Sequence, residues 1–258
     1  MKILVVGTGF IGSKIVEKLS DKHEVKTLDR SSGDFTQDIT EEFEISESFD
    51  VMYHTVGLAP GMFMRRQYQA VHVKGTQNLL DAVETDKIVY LSALGVGKVD
   101  HSFFETKEEA ENLIKESETD YTIVRPSTVY GGGNKLLEDI RKISKFRTFP
   151  SINTLTQPIH IDDLTEILVK AKDDFENETL EVAGPEKMTV TQLAKKIFAE
   201  EGRSCTVLPV PQVLQETGLK LSPFGGPFSR ENVELLRQQN TTDENDAERI
   251  LENLTGIL

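Results

Sequence analysis

The sequence predicts an α/β fold, a parallel sheet covered by helices on both faces with a smaller C-terminal lobe, and three observations predict it. Short β-branched runs alternate with stretches of helical period. The runs are apolar almost throughout, as strands buried on both faces are. The length of 258 residues can also hide roughly three quarters of the unfolded surface, enough for one large domain with a small lobe.

The elements follow in order. KILVV, residues 2–6, is a buried strand; GSKIVEKLS is a helix with Ile15, Val16 and Leu19 on one face; EVKTL is a second strand, which completes a βαβ unit. Further strands are predicted at DVMYHTV (50–56), KIVYLSAL (87–94) and YTIVRPS (121–127). Helices are predicted between them at VHVKGTQNLLDAVE (71–84) and within FFETKEEAENLIK (103–115). Beyond residue 130 the rhythm loosens. YGGGN is a turn, LLEDIRKISKF a helix, IHIDDLTEILVKAK a further element, and TLEVAG a strand able to return to the main sheet. From TVTQLAKKIFAEEG onward come helices, the Pro-punctuated VLPVPQVL and the loop SPFGGPFS. The expected division is a first domain over 1–150, with a return near 155–184, and a smaller substrate or partner lobe over 185–258.

Between the first strand and first helix lies GTGFIG, residues 7–12, a G-x-G-x-x-G loop in the strand-to-helix context that gives it meaning. Gly7 permits the tight turn, Gly9 lets backbone amides approach a pyrophosphate, and Gly12 lets helix pack on strand, with Phe10 and Ile11 between them. This makes the sheet a Rossmann-type, doubly wound one with a dinucleotide as its expected ligand. Asp29 ends the second strand about twenty residues on, where a carboxylate accepts hydrogen bonds from the adenosine ribose and repels a 2′-phosphate. It favours NAD. Arg30 follows, and a guanidinium there suits adenine stacking or the extra phosphate of NADP, so NADP stays open. Asp29 also suits the turn DRSSGD as a capping residue.

Composition excludes other classes. With 29 Lys and Arg against 43 Asp and Glu, the net charge is −14, the opposite of the basic footprint that nucleic acid requires. ILVV is too short to span a bilayer and lacks a cleavage pattern. The single cysteine, Cys205, has no intrachain partner and no metal-ligand spacing around it, which fits a packed thiol in a reducing cytoplasm. No metal site is expected.

GTGFIG, Asp38 in TQDIT, DVMYHTVG, VHVKGTQNLLDAV, YLSALGV, the lysine of ETKEEAE, RPSTVYGGG and PIHIDDL together resemble the extended and atypical short-chain dehydrogenase/reductases. That group contains nucleotide-sugar epimerases and dehydratases. The resemblance covers most of the chain. It implies that Asp38 and Ile39 flank the adenine and that Thr55, Val56 and Gly57 line the cofactor. It also implies that Lys107 hydrogen-bonds the nicotinamide ribose, and that Arg125, Pro126, Ser127 and Val129 lie near the nicotinamide and the substrate cleft. A homodimer formed through helices is the family's expectation. The tail SRENVELLRQQNTTDENDAERILENL is similar to the C-terminal segment of atypical members related to the NAD(P)H-binding accessory subunit of respiratory complex I.

The departures matter as much. Catalytic relatives carry a tyrosine four residues before the lysine, and here that position is Phe103. Ser92 stands near the usual hydroxyl partner but is followed by Ala93 and Leu94, and His72 occupies a position where the family commonly has asparagine. Among other proton carriers, His101 reads as a solvated loop residue, His54 as a core histidine, and His160 as structural beside a capping Asp162. Tyr130 suits substrate binding or packing. In GLAPGMFMRR, Arg65 or Arg66 suits an anionic small-molecule substrate or plain solvation. Two functions remain: an oxidoreductase or epimerase-like enzyme with a replacement acid, and a cofactor-binding, assembly or redox-sensing protein in which Lys107 anchors the dinucleotide.

Overall fold

The computed structural model describes residues 1–61, 63–131, 148–200, 202–204, 206–208 and 238–257. Its frame is a seven-stranded sheet whose neighbouring strands all run parallel. The strands are β1 (Lys2–Val6), β2 (Glu24–Asp29), β3 (Phe35–Thr36), β4 (Ser48–His54), β5 (Glu84–Leu91), β6 (Asp120–Pro126) and a seventh, Glu178–Val182. From β1 the chain winds outward through β2 and β3 on one side, then returns to β4, β5, β6 and the seventh strand on the other. The winding direction therefore reverses between β1 and β4, and the carboxyl ends of strands at such a reversal are where ligands bind.

Alternation along each strand supplies two cores, because successive side chains point to opposite faces. Ile3, Val5, Val51, Tyr53, Val89 and Val124 face helix α1 (Gly12–Leu19) and the helix Ile161–Lys170. Leu4, Val6, Met52, Ile88, Tyr90 and Ile123 face the opposite layer. That layer holds α2 (Arg65–Tyr68), α3 (Gly75–Ala82) and α4 (Ser102–Glu116). The Rossmann-type doubly wound sheet predicted from the apolar runs is thus present. The helix expected over 71–84 begins earlier, at Arg65, passes through a π-helical turn at Gln69–Lys74, and ends at Ala82. It stops there because Val83 turns extended (φ −120°, ψ 117°) and Glu84 opens β5, whose charged start, ETDK, hid its strand character.

TLEVAG does return to the main sheet: Glu178–Val182 lies parallel beside β6, with Leu180 opposite Val124. The helix Val190–Glu200 builds a satellite core from Leu193, Ala194, Ile197 and Phe198, closed by Met188 and Ile257. The tail reaches both the main core and the satellite core. Asn245 accepts from the Ala183 amide and Asp246 from the Glu181 amide, each at 2.9 Å, and Ala247 and Leu251 enter the main core. The helix expected at LLEDIRKISKF, the segment VLPVPQVL beyond Leu208, SPFGGPFS, Cys205 and the first part of the tail lie outside the described residues. Among the described residues no helix is long and apolar enough to cross a membrane, and no cluster of three His, Cys, Asp or Glu is placed to hold a metal.

Candidate functional site

A cleft of about 690 Å³ opens at the carboxyl ends of β1, β2, β4 and β5, within the usual range of ligand pockets. One wall is the glycine loop. Gly7 adopts φ +90°, which lets its amide bond the Leu28 carbonyl at 2.8 Å and turn the chain out of β1. A Cβ on Gly12 would lie 1.9 Å from the Gly7 carbonyl oxygen, so only glycine lets α1 start this close to β1. A Cβ on Gly9 would meet nothing within 4 Å, which leaves open space on the cleft side. Thr55 ties the opposite wall to the loop, its hydroxyl lying 2.7 Å from the Gly7 carbonyl. Helix α1 begins without a side-chain cap at Ile11, and its first amides are donors suited to an anion. Phe10, Val56 and Gly57 complete this part of the lining.

Asp29 sits at the end of β2 with both oxygens engaged. One accepts from the amide and hydroxyl of Thr8, each at 3.0 Å, and the other from Ser31. The Thr8 amide bond leads in holding its carboxyl below the ordinary range. Asp29 therefore both caps the DRSS turn and clamps the glycine loop, while still lining the cleft beside the exposed Arg30. Asp38 accepts from the Thr40 amide and hydroxyl at 3.0 and 2.8 Å. Asn78 of α3 donates to the carbonyls of Ile39 and Glu41, at 2.7 and 2.9 Å, and so seats this loop against the cleft. Asn78 escaped the sequence reading because nothing local marks a helix asparagine that reaches a loop 39 residues away.

At the far end, Lys107 and Phe103 line the cleft together with Leu91, Ser92 and Leu58. Lys107 is 3% exposed, which excludes the solvated-charge alternative. Its ammonium donates to the Leu91 carbonyl at 2.8 Å and lies 4.6 Å from the centre of the Tyr90 ring. Burial brings its pKa down to about 7. Ser92 lines the cleft with its hydroxyl 2.5 Å from Glu111, where it donates into a buried network. Glu111 is fully buried and receives Arg125 through Nε at 2.9 Å and Nη2 at 2.6 Å. The spacing Phe103, Lys107, Ala110, Glu111, Ile114 traces one face of α4, and continuing that face from Lys107 would have found Glu111.

Other expected residues lie elsewhere. Pro126, Ser127 and Val129 stand outside the cleft lining: Pro126 pairs with Val182, Ser127 donates to the Gln157 carbonyl at 2.6 Å, and Val129 packs against the main core. Tyr130 is held at the tail, donating to the Thr255 carbonyl at 2.9 Å and packing edge-on against His160. Arg65 is paired with Glu105 and Glu109 of α4, so its charge is matched within the fold. His101, expected in solvent, is 2% exposed and caps α4 by accepting from the Phe103 amide at 3.0 Å. The cap of the helix Ile161–Lys170 is His160, accepting from Asp162, rather than Asp162 itself.

His54 and His72 are neutral core groups. His72 Nε2 accepts from the Leu58 amide at 3.2 Å, so its proton resides on Nδ1, which faces Thr106 at 2.9 Å. Burial pushes its pKa to about 2. His54, with a pKa pushed by burial to about 3, bonds Thr76 through Nε2 at 3.0 Å.

The open space beside Gly9, the uncapped start of α1 and the carboxylate at the end of β2 fit a dinucleotide. Known proteins agree. The chain is 24% identical over 249 residues to the NADH-ubiquinone oxidoreductase 40 kDa subunit, mitochondrial, of Neurospora crassa, covering 86% of this chain and 64% of that protein. It is 22% identical over 165 residues to N-acetyl-alpha-D-glucosaminyl-diphospho-ditrans,octacis-undecaprenol 4-epimerase of Escherichia coli O157:H7, covering 52% of this chain and 50% of that one. The chain thus spans less than two thirds of the length of either relative. Its fold matches UDP-glucuronic acid 4-epimerase from Bacillus cereus, solved with UDP-glucuronic acid and NAD, at TM-score 0.74 and 20% identity over 99% of this chain and 95% of that one. The profile of the family described as NAD(P)H-binding matches residues 7–153, from the glycine loop past β6, and the chain belongs to that NAD(P)H-binding family.

Proposed function

We propose that this chain holds its dinucleotide as a bound ligand for assembly or redox sensing, with NAD favoured over NADP, instead of performing tyrosine-dependent hydride chemistry. The carrying observation is Phe103, a residue of the cleft lining one turn before Lys107, whose ring packs edge-on against Tyr68, His72 and Phe104. A phenyl ring has no proton to give where catalytic relatives carry a phenol. Ser92, the second hydroxyl of such a site, is bonded to Glu111. In this reading the diphosphate lies along Gly7–Gly12, the adenosine ribose at Asp29, and the nicotinamide ribose at Lys107. When bound, the group would supply a redox-active nicotinamide, and the chain's own residues would position it. Similarity to a subunit of NADH-ubiquinone oxidoreductase supports a role within an assembly.

The test is whether purified protein carries stoichiometric dinucleotide by mass spectrometry while showing no hydride transfer to sugar nucleotides, ketones or quinones. Steady turnover with any of them would replace this reading by a second, an oxidoreductase or epimerase-like enzyme. One observation favours that alternative: a lysine with a pKa of about 7 at the cleft wall is suited to proton transfer near neutrality.

Two substitutions check the placement of α4. Lys107→Met should weaken NADH binding by about 1 kcal/mol, roughly fivefold, the net scale of a typical hydrogen bond. An unchanged isotherm would remove Lys107 from the cofactor. Phe103→Tyr keeps the ring and adds one hydroxyl at the cleft wall, so dissociation constants should stay within about threefold of the original. A larger loss would show that the ring faces the core instead of the ligand.

A further inference from the structure

We propose that the cleft discriminates the redox state of its dinucleotide, holding the reduced form more tightly than the oxidised form, with Lys107 as the discriminating charge. This rests on the reading that the nicotinamide end lies beside Lys107. The two forms differ there by one unit: the oxidised ring is a cationic pyridinium and the reduced ring is neutral. What decides between them is the charge already built into that end of the cleft.

The charge around Lys107 is countable from each element packed on it. On α4 itself, Glu111 stands one turn beyond, but its carboxylate is already bound by Arg125 of β6 through two nitrogens, by the Ser92 hydroxyl, and by Lys115 at 3.4 Å. Arg125, which also faces Glu181 at 4.0 Å, therefore takes up most of the hydrogen-bonding capacity of the nearest acid, although the Glu111 charge still favours the Lys107 ammonium. From β5, Tyr90 presents its ring and Leu91 its carbonyl, both uncharged, and burial raises the Tyr90 phenol well above its ordinary value. From β4 and the π-helical turn come His54 and His72, both kept neutral by burial. From the loop after β4, Gly57 approaches closely enough that a Cβ on it would lie 3.2 Å from the ammonium. In catalytic relatives a phenol, able to become a phenolate, stands where Phe103 stands here. Without it, a protonated Lys107 shares its one nearby acid, Glu111, with Arg125 and Lys115, and this end of the cleft keeps a partly compensated positive charge in surroundings too buried for salt to screen.

A pyridinium anywhere within about 10 Å of such an ammonium, at an effective dielectric near 20, would be disfavoured by at least about tenfold in binding. The reduced ring meets no such repulsion. Burial also makes the charge conditional, because the Lys107 pKa of about 7 lies below its ordinary range. Below that pH the ammonium is present and the discrimination is complete; above it the amine is neutral and the discrimination fades. Bound state would then report both redox poise and pH.

The experiment is calorimetric titration of the intact chain with NADH, NAD⁺, NADPH, NADP⁺ and ADP-ribose between about pH 6 and pH 9. ADP-ribose carries the adenosine half and the diphosphate without a nicotinamide. The expected result is a preference for the reduced form of at least about tenfold at pH 6 that shrinks to about threefold or less at pH 9. Lys107→Arg, which stays charged, should retain the preference at pH 9. A reduced-to-oxidised ratio near one, or one that does not change with pH while ADP-ribose binds normally, overturns this proposal and leaves dinucleotide binding standing. Failure of all five ligands to bind overturns both. The pH series on the unaltered chain decides the matter if the arginine variant does not fold.

Discussion

Glu111→Ala is expected to destabilise the fold by about 3 kcal/mol, toward the lower end of the range for breaking a buried ion pair by removing one partner. Glu111 is fully buried, and its removal leaves the Arg125 guanidinium, on a side chain only 16% exposed, without its two strongest acceptors. Glu181 lies 4.0 Å from the other guanidinium nitrogen and offsets part of the loss, hence the low end. The Ser92 hydroxyl also loses its acceptor. Glu111→Gln keeps the shape and one acceptor and should cost about 1–3 kcal/mol. Replacing both Glu111 and Arg125 with methionine removes two charges together and should be neutral or stabilising. Urea unfolding would show these as shifts in midpoint with an unchanged slope. If Glu111→Ala stayed within about 0.5 kcal/mol of the original chain, the network would be decorative.

Gly12→Ala and Gly9→Ala should separate folding from binding. At Gly12 the new methyl carbon would start 1.9 Å from the Gly7 carbonyl oxygen and 2.8 Å from the Thr55 hydroxyl. The first of these is backbone, so the whole loop has to move. The expected cost is about 1–3 kcal/mol of stability and at least about a tenfold loss of NADH affinity. At Gly9 the methyl meets nothing within 4 Å, so stability should change by less than about 1 kcal/mol, in the direction of a slight gain. The same methyl enters the space proposed for the diphosphate, and affinity should again fall at least about tenfold. Thermal unfolding with parallel titration reads both quantities. Intact affinity in Gly9→Ala would mean that the ligand does not lie along this loop.

The strands were legible because they are buried on both faces, and such strands spell continuous apolar runs that need no tertiary knowledge. The glycine loop was legible because its spacing encodes backbone geometry directly. Glu84–Leu91 was harder: its first residues are polar, so the preceding helix was extended to Glu84 and the strand was expected to begin only at Lys87. His101 was misplaced for a different reason. KVDHSFF is rich in polar residues, yet Tyr68 and Phe104 close over the imidazole once α4 and α2 come together. Tyr130 and Arg65 had plausible chemistry and no visible partners; those partners, Thr255 and the acids Glu105 and Glu109, lie far away in sequence.

The sequence by itself determined the sheet, the glycine loop, the carboxylate at the end of β2, and the presence of Phe103 one turn before Lys107, since each is carried by local pattern or by residue identity. Tertiary structure alone decided what the charges do. Whether Lys107 is solvated or buried, whether Ser92 has a free hydroxyl, and whether Glu111 counters Lys107 or Arg125 depend on which groups lie within a few ångströms. Those distances are set by packing between β5, β6 and α4, and electrostatic energy depends on separation and solvent exposure, quantities that a linear sequence does not contain.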